Sequence, residues 1–268
     1  TPILMVVVRA KKNLGQHFLT DKSIALKIVE SLVSDVSNVL EIGPGMGVLT
    51  EYLFQSDSYK TIALDIDRES VEYLKQRFPS FAEQILYGDF LRSDLNSIFG
   101  GERVAIIGNF PYNISTQILF RVLDFKDIVP EVVGMFQKEV AQRIAAPPGS
   151  KVYGITSVLL QAYYSIDYLF TVDEHVFSPP PKVKSAVIRL TRNNVQKLVC
   201  DEKLFARVVK AGFNQRRKML RNSLKSLIQC DGFLHPFLEK RPEQLSLAEF
   251  VELTQSISSF LTSKNNAI

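Results

Sequence analysis

The chain has 268 residues, 46% of them hydrophobic and 22% charged, with a formal net charge of +4. That balance suits a packed core in one large domain, or one medium domain with a small appendage, and no apolar run reaches the length of a membrane span. Two cysteines, Cys200 and Cys230, and three scattered histidines at 17, 175 and 235 exclude a disulfide framework and a zinc site, so no metal is expected and a reducing cytoplasm is the expected compartment.

In chain order, the opening TPILMVVV is too short for a secretory leader and lacks its basic lead-in; Met5 reads as the natural start. NVLEIG, at 38–43, is an apolar run that meets glycines and predicts a buried strand. VLTEYLF then has helical spacing, KTIALDI reads as a strand, ESVEYLKQRF as an amphipathic helix, and EQILYGD as a third strand. RVAIIGN predicts a fourth strand and TQILFRVLDF a helix. Such alternation argues for a parallel sheet with helices on both faces. Further on, EVVGMFQ and YLFTVDE read as strands, KEVAQRIAA and ITSVLLQAYY as helices joined by the Pro/Gly loop PPGSKVYG, and KVKSAVIRL as a strand that closes the sheet. TRNNVQ is a linker, and the rest is helical: EKLFARVVKAGF, RRKMLRNSLKSLI and LAEFVELTQSISSFL. The boundary is expected near residue 192, giving an α/β domain over 1–192 and a small all-α domain over 193–268.

EIGPGMG follows the first strand directly. Glycines at 43, 45 and 47 let the backbone turn sharply and approach a ligand closely. A dinucleotide fingerprint needs G-x-G-x-x-G, but position 48 is Val, and no Lys-Ser/Thr pair makes a P-loop. Asp65 ends the second strand, twenty residues past Gly45, where a carboxylate accepts both ribose hydroxyls of an adenosine-containing cofactor. Asp89 ends the third strand and can accept from an adenine amine. The bland reading of either acid is a helix cap.

The fourth strand ends in Asn109-Phe110-Pro111-Tyr112. An adenine amine is a weak nucleophile with two N–H groups. The Asn109 side-chain oxygen and the Pro111 carbonyl can accept one each and steer the nitrogen toward tetrahedral geometry. Tyr112 can stack on the base. With an electrophile already activated, as in a sulfonium methyl, positioning and electrostatics suffice. The base must be unpaired or flipped out. A strand-to-turn junction capped by Asn-x-Pro is the plain structural alternative.

The chain resembles the ribosomal RNA adenine dimethyltransferases, and within them the family that modifies small-subunit rRNA, over nearly its whole length. The resemblance rests on NLGQHFL at 13–19, EIGPGMGVLT at 41–50, NFPYNIST at 109–116, VFSPPPKVKSAVIRL at 176–190 and FNQRRKMLRNSLK at 213–225. It implies a Rossmann-like class I methyltransferase sheet and S-adenosylmethionine as cofactor. It implies dimethylation of two adjacent adenosines in a hairpin loop near the 3′ end of the RNA. The expected partner is rRNA in a pre-30S particle, engaged by a monomer. His17, Leu19, Gly43, Asp65, Asp89 and Asn109 fall on cofactor positions, with Gly45 in the same loop. Phe177 falls on a second stacking aromatic, to sandwich the base with Tyr112. The family commonly has Asn at 17, Glu at 65 and Leu at 110, so this chain departs from it at three positions.

Arg9, Lys11 and Lys12 make a basic N-terminal segment, and Lys182 and Lys184 flank the proline run. Arg216, Arg217, Lys218, Arg221 and Lys225 cluster in an expected helix whose positions 217, 221 and 225 share a face. All are candidate phosphate contacts. Competing readings are the erythromycin-resistance family, acting on large-subunit rRNA with the same motif, and a non-catalytic RNA-binding assembly or transcription factor. The RRKMLRNSLK stretch favours the small-subunit family over the first. A nicotinamide dehydrogenase is disfavoured by the glycine spacing.

Overall fold

The computed structural model describes residues 8–229 and 232–265; Met5 and Cys230 lie outside the described residues. The elements in chain order are β1 (Phe18–Leu19), α1 (Lys22–Val29), β2 (Asn38–Ile42), α2 (Thr50–Leu53), β3 (Lys60–Asp65), α3 (Arg68–Arg77), β4 (Ile85–Tyr87), α4 (Leu95–Phe99), β5 (Val104–Asn109) and α5 (Ser115–Asp124). They continue with β6 (Glu131–Gln137), α6 (Lys138–Ile144), α7 (Ile155–Gln161), β7 (Tyr164–Val172), β8 (Phe177–Ser178), β9 (Ser185–Arg192), α8 (Glu202–Asn214), α9 (Leu220–Ser223), α10 (Lys225–Ile228) and α11 (Leu247–Asn265). Aspartates begin four of the helices. Asp21, Asp67, Asp94 and Asp201 each accept a backbone N–H from the first turn of α1, α3, α4 and α8, satisfying donors that a helix start otherwise leaves bare.

Among the described residues, seven strands form one sheet in the order β4-β3-β2-β5-β6-β9-β7. β4, β3, β2, β5 and β6 run parallel, and β9 pairs antiparallel with β6. The KVKSAVIRL strand therefore lies inside the sheet, with β7 beyond it. The central strands are apolar on both faces. Val39, Ala105, Ile107, Val133, Met135 and Val187 join one core with Ala25, Ile28 and Val29 of α1 and Leu53 of α2. Their neighbours Leu40, Ile106 and Val132, which point the other way, are equally buried. Strand order reverses between β2 and β5, and the crevice outside their carboxyl ends is where such a sheet binds ligands.

Compactness divides the chain into Thr1–Ala141 with Ser165–Arg192, and Gln142–Tyr164 with Asn193–Ile268. Residues 142–164, read from sequence as part of the first domain, group with the later helices. The reason lies in contacts that no spacing rule reveals. The Arg216 guanidinium donates to the carbonyls of Tyr153 (2.8 Å) and Ser150 (3.3 Å). The Tyr153 ring meets Phe213 edge-on at 5.8 Å, and Gln161 Nε2 donates to the Ile144 and Ala146 carbonyls, both at 2.9 Å.

The expected single helix over RRKMLRNSLKSLI is broken. α8 stops at Asn214, Met219 is extended, and α9 and α10 are single turns on either side of Leu224. Leu220 packs against Gly212, where a Cβ would stand 3.0 Å from its methyl, so the chain must turn back between the helices. Arg217 therefore lies in a turn and does not share a helix face with Arg221 and Lys225.

Candidate active site

A cleft of about 190 Å³ opens at the carboxyl ends of β2, β3 and β5, and among its lining residues are Gly43, Gly45, Asp65, Asp89, Asn109 and Tyr112. The loop after β2 reaches it only through left-handed backbone: φ is +67° at Gly43, +56° at Gly45 and +82° at Gly47, a conformation that costs glycine little. At Gly45 a Cβ would stand 2.9 Å from the Phe18 ring. At that position the backbone approaches its neighbour too closely for any side chain.

Asp65, at the end of β3, is 5% exposed. Its Oδ2 accepts from Gly45 N–H (3.1 Å) and its Oδ1 from Asp67 N–H (2.9 Å). Burial pushes the carboxyl up to about 6, against these bonds, so it is ionised at neutral pH. Two acceptor sites remain on the carboxylate for a pair of hydroxyls. Asp89 caps the 3-10 turn Phe90–Arg92 through Leu91 N–H (3.0 Å) and lines the cleft as well. Capping and cleft-lining coexist in one side chain.

Asn109 ends β5. Its Nδ2 donates to the His17 carbonyl at 2.9 Å. A carbonyl only accepts, so the amide orientation is set and Oδ1 is the atom left to accept from a ligand. Phe110 turns the other way, into the sheet, and is 1% exposed. The Pro111 carbonyl accepts from Ile114 N–H (3.2 Å) and keeps a second lone pair. Tyr112 hydrogen-bonds the fully buried Ser185 hydroxyl, and burial raises its phenol. The Tyr112 ring stacks on His17, with centroids 5.3 Å apart and 28° between planes. His17 Nδ1 lies 2.9 Å from the Pro179 carbonyl, so Nδ1 carries the proton and, in the neutral ring, Nε2 is an acceptor.

Two expected contacts stand elsewhere. Phe177 is 4% exposed, pairs with Leu19 across β1 and β8, joins the core, and is not among the residues that line the cleft. The two-residue β1–β8 ladder places Leu19 and Phe177 opposite one another, both 4% exposed. Leu19 borders a small cavity behind the glycine loop, together with Glu41 and Asn109.

Sequence reasoning passed over Gln16, Glu41, Asp67 and Ser185, which carry no spacing signal of their own. Glu41 in β2 is 1% exposed and accepts from Thr50 Oγ1 at 2.6 Å. Burial pushes its carboxyl up to about 8. Its proton is kept in the folded state and released by the unfolded chain, so this group's stabilisation is full below about pH 4.5 and lost as pH rises through 8. Glu41→Gln should therefore gain melting temperature relative to wild type as pH rises from 5 to 9. A difference that stays flat over that range would mean Glu41 is ionised throughout.

The candidate phosphate contacts separate into two groups. Lys11 pairs with Asp67 (2.7 Å) and Glu69 (3.2 Å), and Lys184 with Asp173 (2.7 Å). Arg216 is spent on the two carbonyls described above, and Arg221 pairs with Glu239 at 3.1 Å. Arg9, Lys12, Lys182, Arg217, Lys218 and Lys225 are exposed. No three His, Cys, Asp or Glu side chains gather as metal ligands among the described residues.

The donor and acceptor set fits an adenosine-bearing cofactor: a glycine cradle, a buried carboxylate with two free acceptor sites, and a further aspartate on the next strand. A family model described as ribosomal RNA adenine dimethylase matches residues 7–259. The chain is 61% identical over 257 residues to ribosomal RNA small subunit methyltransferase A of Cytophaga hutchinsonii, spanning 95% of this chain and 99% of that one. It is 57% identical over 253 residues to the protein of that name from Parabacteroides distasonis, spanning 93% and 94%. Among solved structures it is similar to a dimethyladenosine transferase from Plasmodium falciparum, with TM-score 0.73 at 22% identity over 93% of this chain and 98% of that one, a likeness of fold.

Proposed function

The chain belongs to the ribosomal RNA adenine dimethylase family, and from that premise we propose that the cleft between the glycine loop and Asn109 is where its chemistry takes place. The protein is an S-adenosylmethionine-dependent methyltransferase that dimethylates adenosine amines of small-subunit rRNA. The single observation that carries the assignment of the site is the Asn109 amide. Its nitrogen is held by the His17 carbonyl, so its oxygen is preset to accept at the end of the strand where the sheet order reverses.

When bound, S-adenosylmethionine supplies a methyl group already activated on a sulfonium. Asp65 accepts the ribose hydroxyls, and Asp89 accepts from the adenine amine of the cofactor. On the substrate side, Asn109 Oδ1 and the Pro111 carbonyl would accept the two N–H groups of the target amine and so fix the direction of its lone pair. Tyr112 offers a stacking face. Its raised phenol remains protonated, so it orients the base without serving as a base itself.

In this reading the residues that carry the cleft form the catalytic part within 1–192. The helical residues 193–268 hold RNA, through Arg217, Lys218 and Lys225 more than through Arg216 or Arg221, whose guanidinia are engaged within the protein. Arg9, Lys12 and Lys182 supply further phosphate contacts. The substrate is the rRNA of a partly assembled 30S particle, met in the cytoplasm by a monomer. No helix among the described residues is long and apolar enough to cross a membrane.

Labelled methyl transfer to unmodified small subunits, large subunits and naked RNA, with the product nucleosides mapped, tests the reading. Label confined to two adjacent dimethyladenosines of the small subunit is expected, and label on the large subunit overturns it. Replacing Arg217, Lys218 and Lys225 with Ala should weaken RNA binding and flatten its salt dependence, each lost contact lowering the slope by about 0.7–0.9. An unchanged slope would leave these cations as solvated surface.

A further inference from the structure

Five consecutive residues of the cleft wall, Leu14, Gly15, Gln16, His17 and Phe18, come from one N-terminal strap. The strap has little regular structure, only a 3-10 turn over Lys12–Leu14 and the first residue of β1. Something other than a helix or sheet must hold it against the rest of the site. Asn109 Nδ2 grips it at the His17 carbonyl (2.9 Å), and Asn113 Nδ2 approaches the Asn13 carbonyl at 3.4 Å.

The strongest grip is at Asp67. Lys11 Nζ donates to its Oδ1 at 2.7 Å and Gln16 Nε2 to its Oδ2 at 3.1 Å. Within the strap, Lys11 N–H donates to Gln16 Oε1 at 2.7 Å, so the two residues grip as one unit. The Asp67 side chain is 1% exposed. It also accepts from Glu69 N–H and Ser70 Oγ at the start of α3, and its own N–H donates to Asp65 Oδ1. An exposed ion pair would contribute little. A buried carboxylate that already caps a helix is a fixed post, and the strap is the part that can leave it. Burial works to raise the Asp67 carboxyl, and the bonds from Lys11 and Gln16 outweigh it, leaving it lowered; Lys11 is raised through the same bond to Asp67.

We propose that Lys11, Gln16 and Asp67 form a latch that docks the N-terminal strap over the cofactor, so that Lys11 and Asp67 are positioning residues for cofactor retention. The inference rests on the cofactor reading of this cleft. The latch and the ribose acceptor share a backbone bond, because Asp67 N–H holds Asp65 Oδ1. A docked strap keeps both walls of the site in place, and an occupied site in turn holds the strap down. The coupling must be reciprocal: whatever factor the latch contributes to cofactor affinity, the cofactor returns to strap docking.

The test uses the full chain and three variants, Lys11→Met, Lys11→Arg and Asp67→Asn, with S-adenosylmethionine and S-adenosylhomocysteine as probes. Calorimetry and stopped-flow dissociation give affinity and residence time, and hydrogen exchange over residues 11–18 reports the strap directly. Lys11→Met is expected to raise Kd by about fivefold or more through faster dissociation. It should also speed exchange over 11–18 and raise KM for the cofactor, with kcat at saturating cofactor within about twofold. Lys11→Arg should restore most of the affinity. Asp67→Asn should act like Lys11→Met and lower the melting temperature as well, because the α3 cap weakens. Wild-type protein that binds neither probe would overturn the cofactor reading and the latch together. Wild-type binding matched by Lys11→Met, or exchange over 11–18 indifferent to cofactor, would overturn the latch alone.

Discussion

Asn109→Ala is expected to lower methyl transfer about 100- to 1000-fold, because one preorganised partner of the reacting nitrogen is lost. The amine would then be held by the Pro111 carbonyl alone. The same change removes the bond to the His17 carbonyl, worth about 0.5–1.5 kcal/mol, so the melting temperature should fall by only a few degrees. Turnover measured at saturating cofactor separates the chemical effect from any loosening of the strap. Tyr112 divides differently. Tyr112→Ala removes a stacking face worth about 1–3 kcal/mol per base. Tyr112→Phe keeps the face and strands the buried Ser185 hydroxyl, so it should cost more in stability than in turnover. The His17 ring already covers one face of Tyr112, which leaves the base the opposite face or requires it to displace the imidazole. Near-normal transfer by Asn109→Ala, or a Tyr112→Phe as inactive as Tyr112→Ala, would refute this division of labour.

The sheet was legible because buried parallel strands are apolar on both faces, and NVLEIG, KTIALDI and RVAIIGN announce themselves as such. The ends of those strands then placed Gly43, Gly45, Asp65 and Asn109 around one cleft, and the shorter strand EQILYGD added Asp89. What escaped was everything set by partners far away in the chain. Lys11 reads as one more cation in a basic segment, and only the fold reveals Asp67 beneath it, 56 residues on. Arg216 reads as part of a basic helix, yet it spans to carbonyls more than sixty residues earlier. Phe177 carries an aromatic motif signal, but the direction of its ring is decided by a two-residue ladder too short to detect by periodicity. Periodicity reports which face of an element is apolar and is silent about which polar groups meet across the fold.

Gly134→Ala should destabilise the protein by about 1–3 kcal/mol, or roughly 3–10 °C in melting temperature, although glycine is there a strand residue with no unusual torsion. Gly108 of β5 and Gly134 of β6 are paired in register. Their missing side chains leave a hollow that the Phe110 ring fills, edge-on to Phe136 at 5.3 Å. A Cβ on Gly134 would collide with the Phe110 ring and stand 2.7 Å from a ring carbon of Phe136; one on Gly108 would stand 2.5 Å from the Ile42 carbonyl. Because Phe110 lies between Asn109 and Pro111, pushing its ring out moves both acceptors. A displacement of about 1 Å at a reacting centre can cost about 100-fold, so turnover should fall with stability. The rescue is specific. Phe110→Leu shortens the side chain and frees room, so Gly134→Ala with Phe110→Leu should be less destabilised than the sum of the single changes. A favourable coupling of about 0.5–3 kcal/mol is expected from a double-mutant cycle read by chemical denaturation. Strict additivity would mean that the ring and the paired glycines do not share a cradle, and that the placement of Asn109 and Pro111 is set elsewhere.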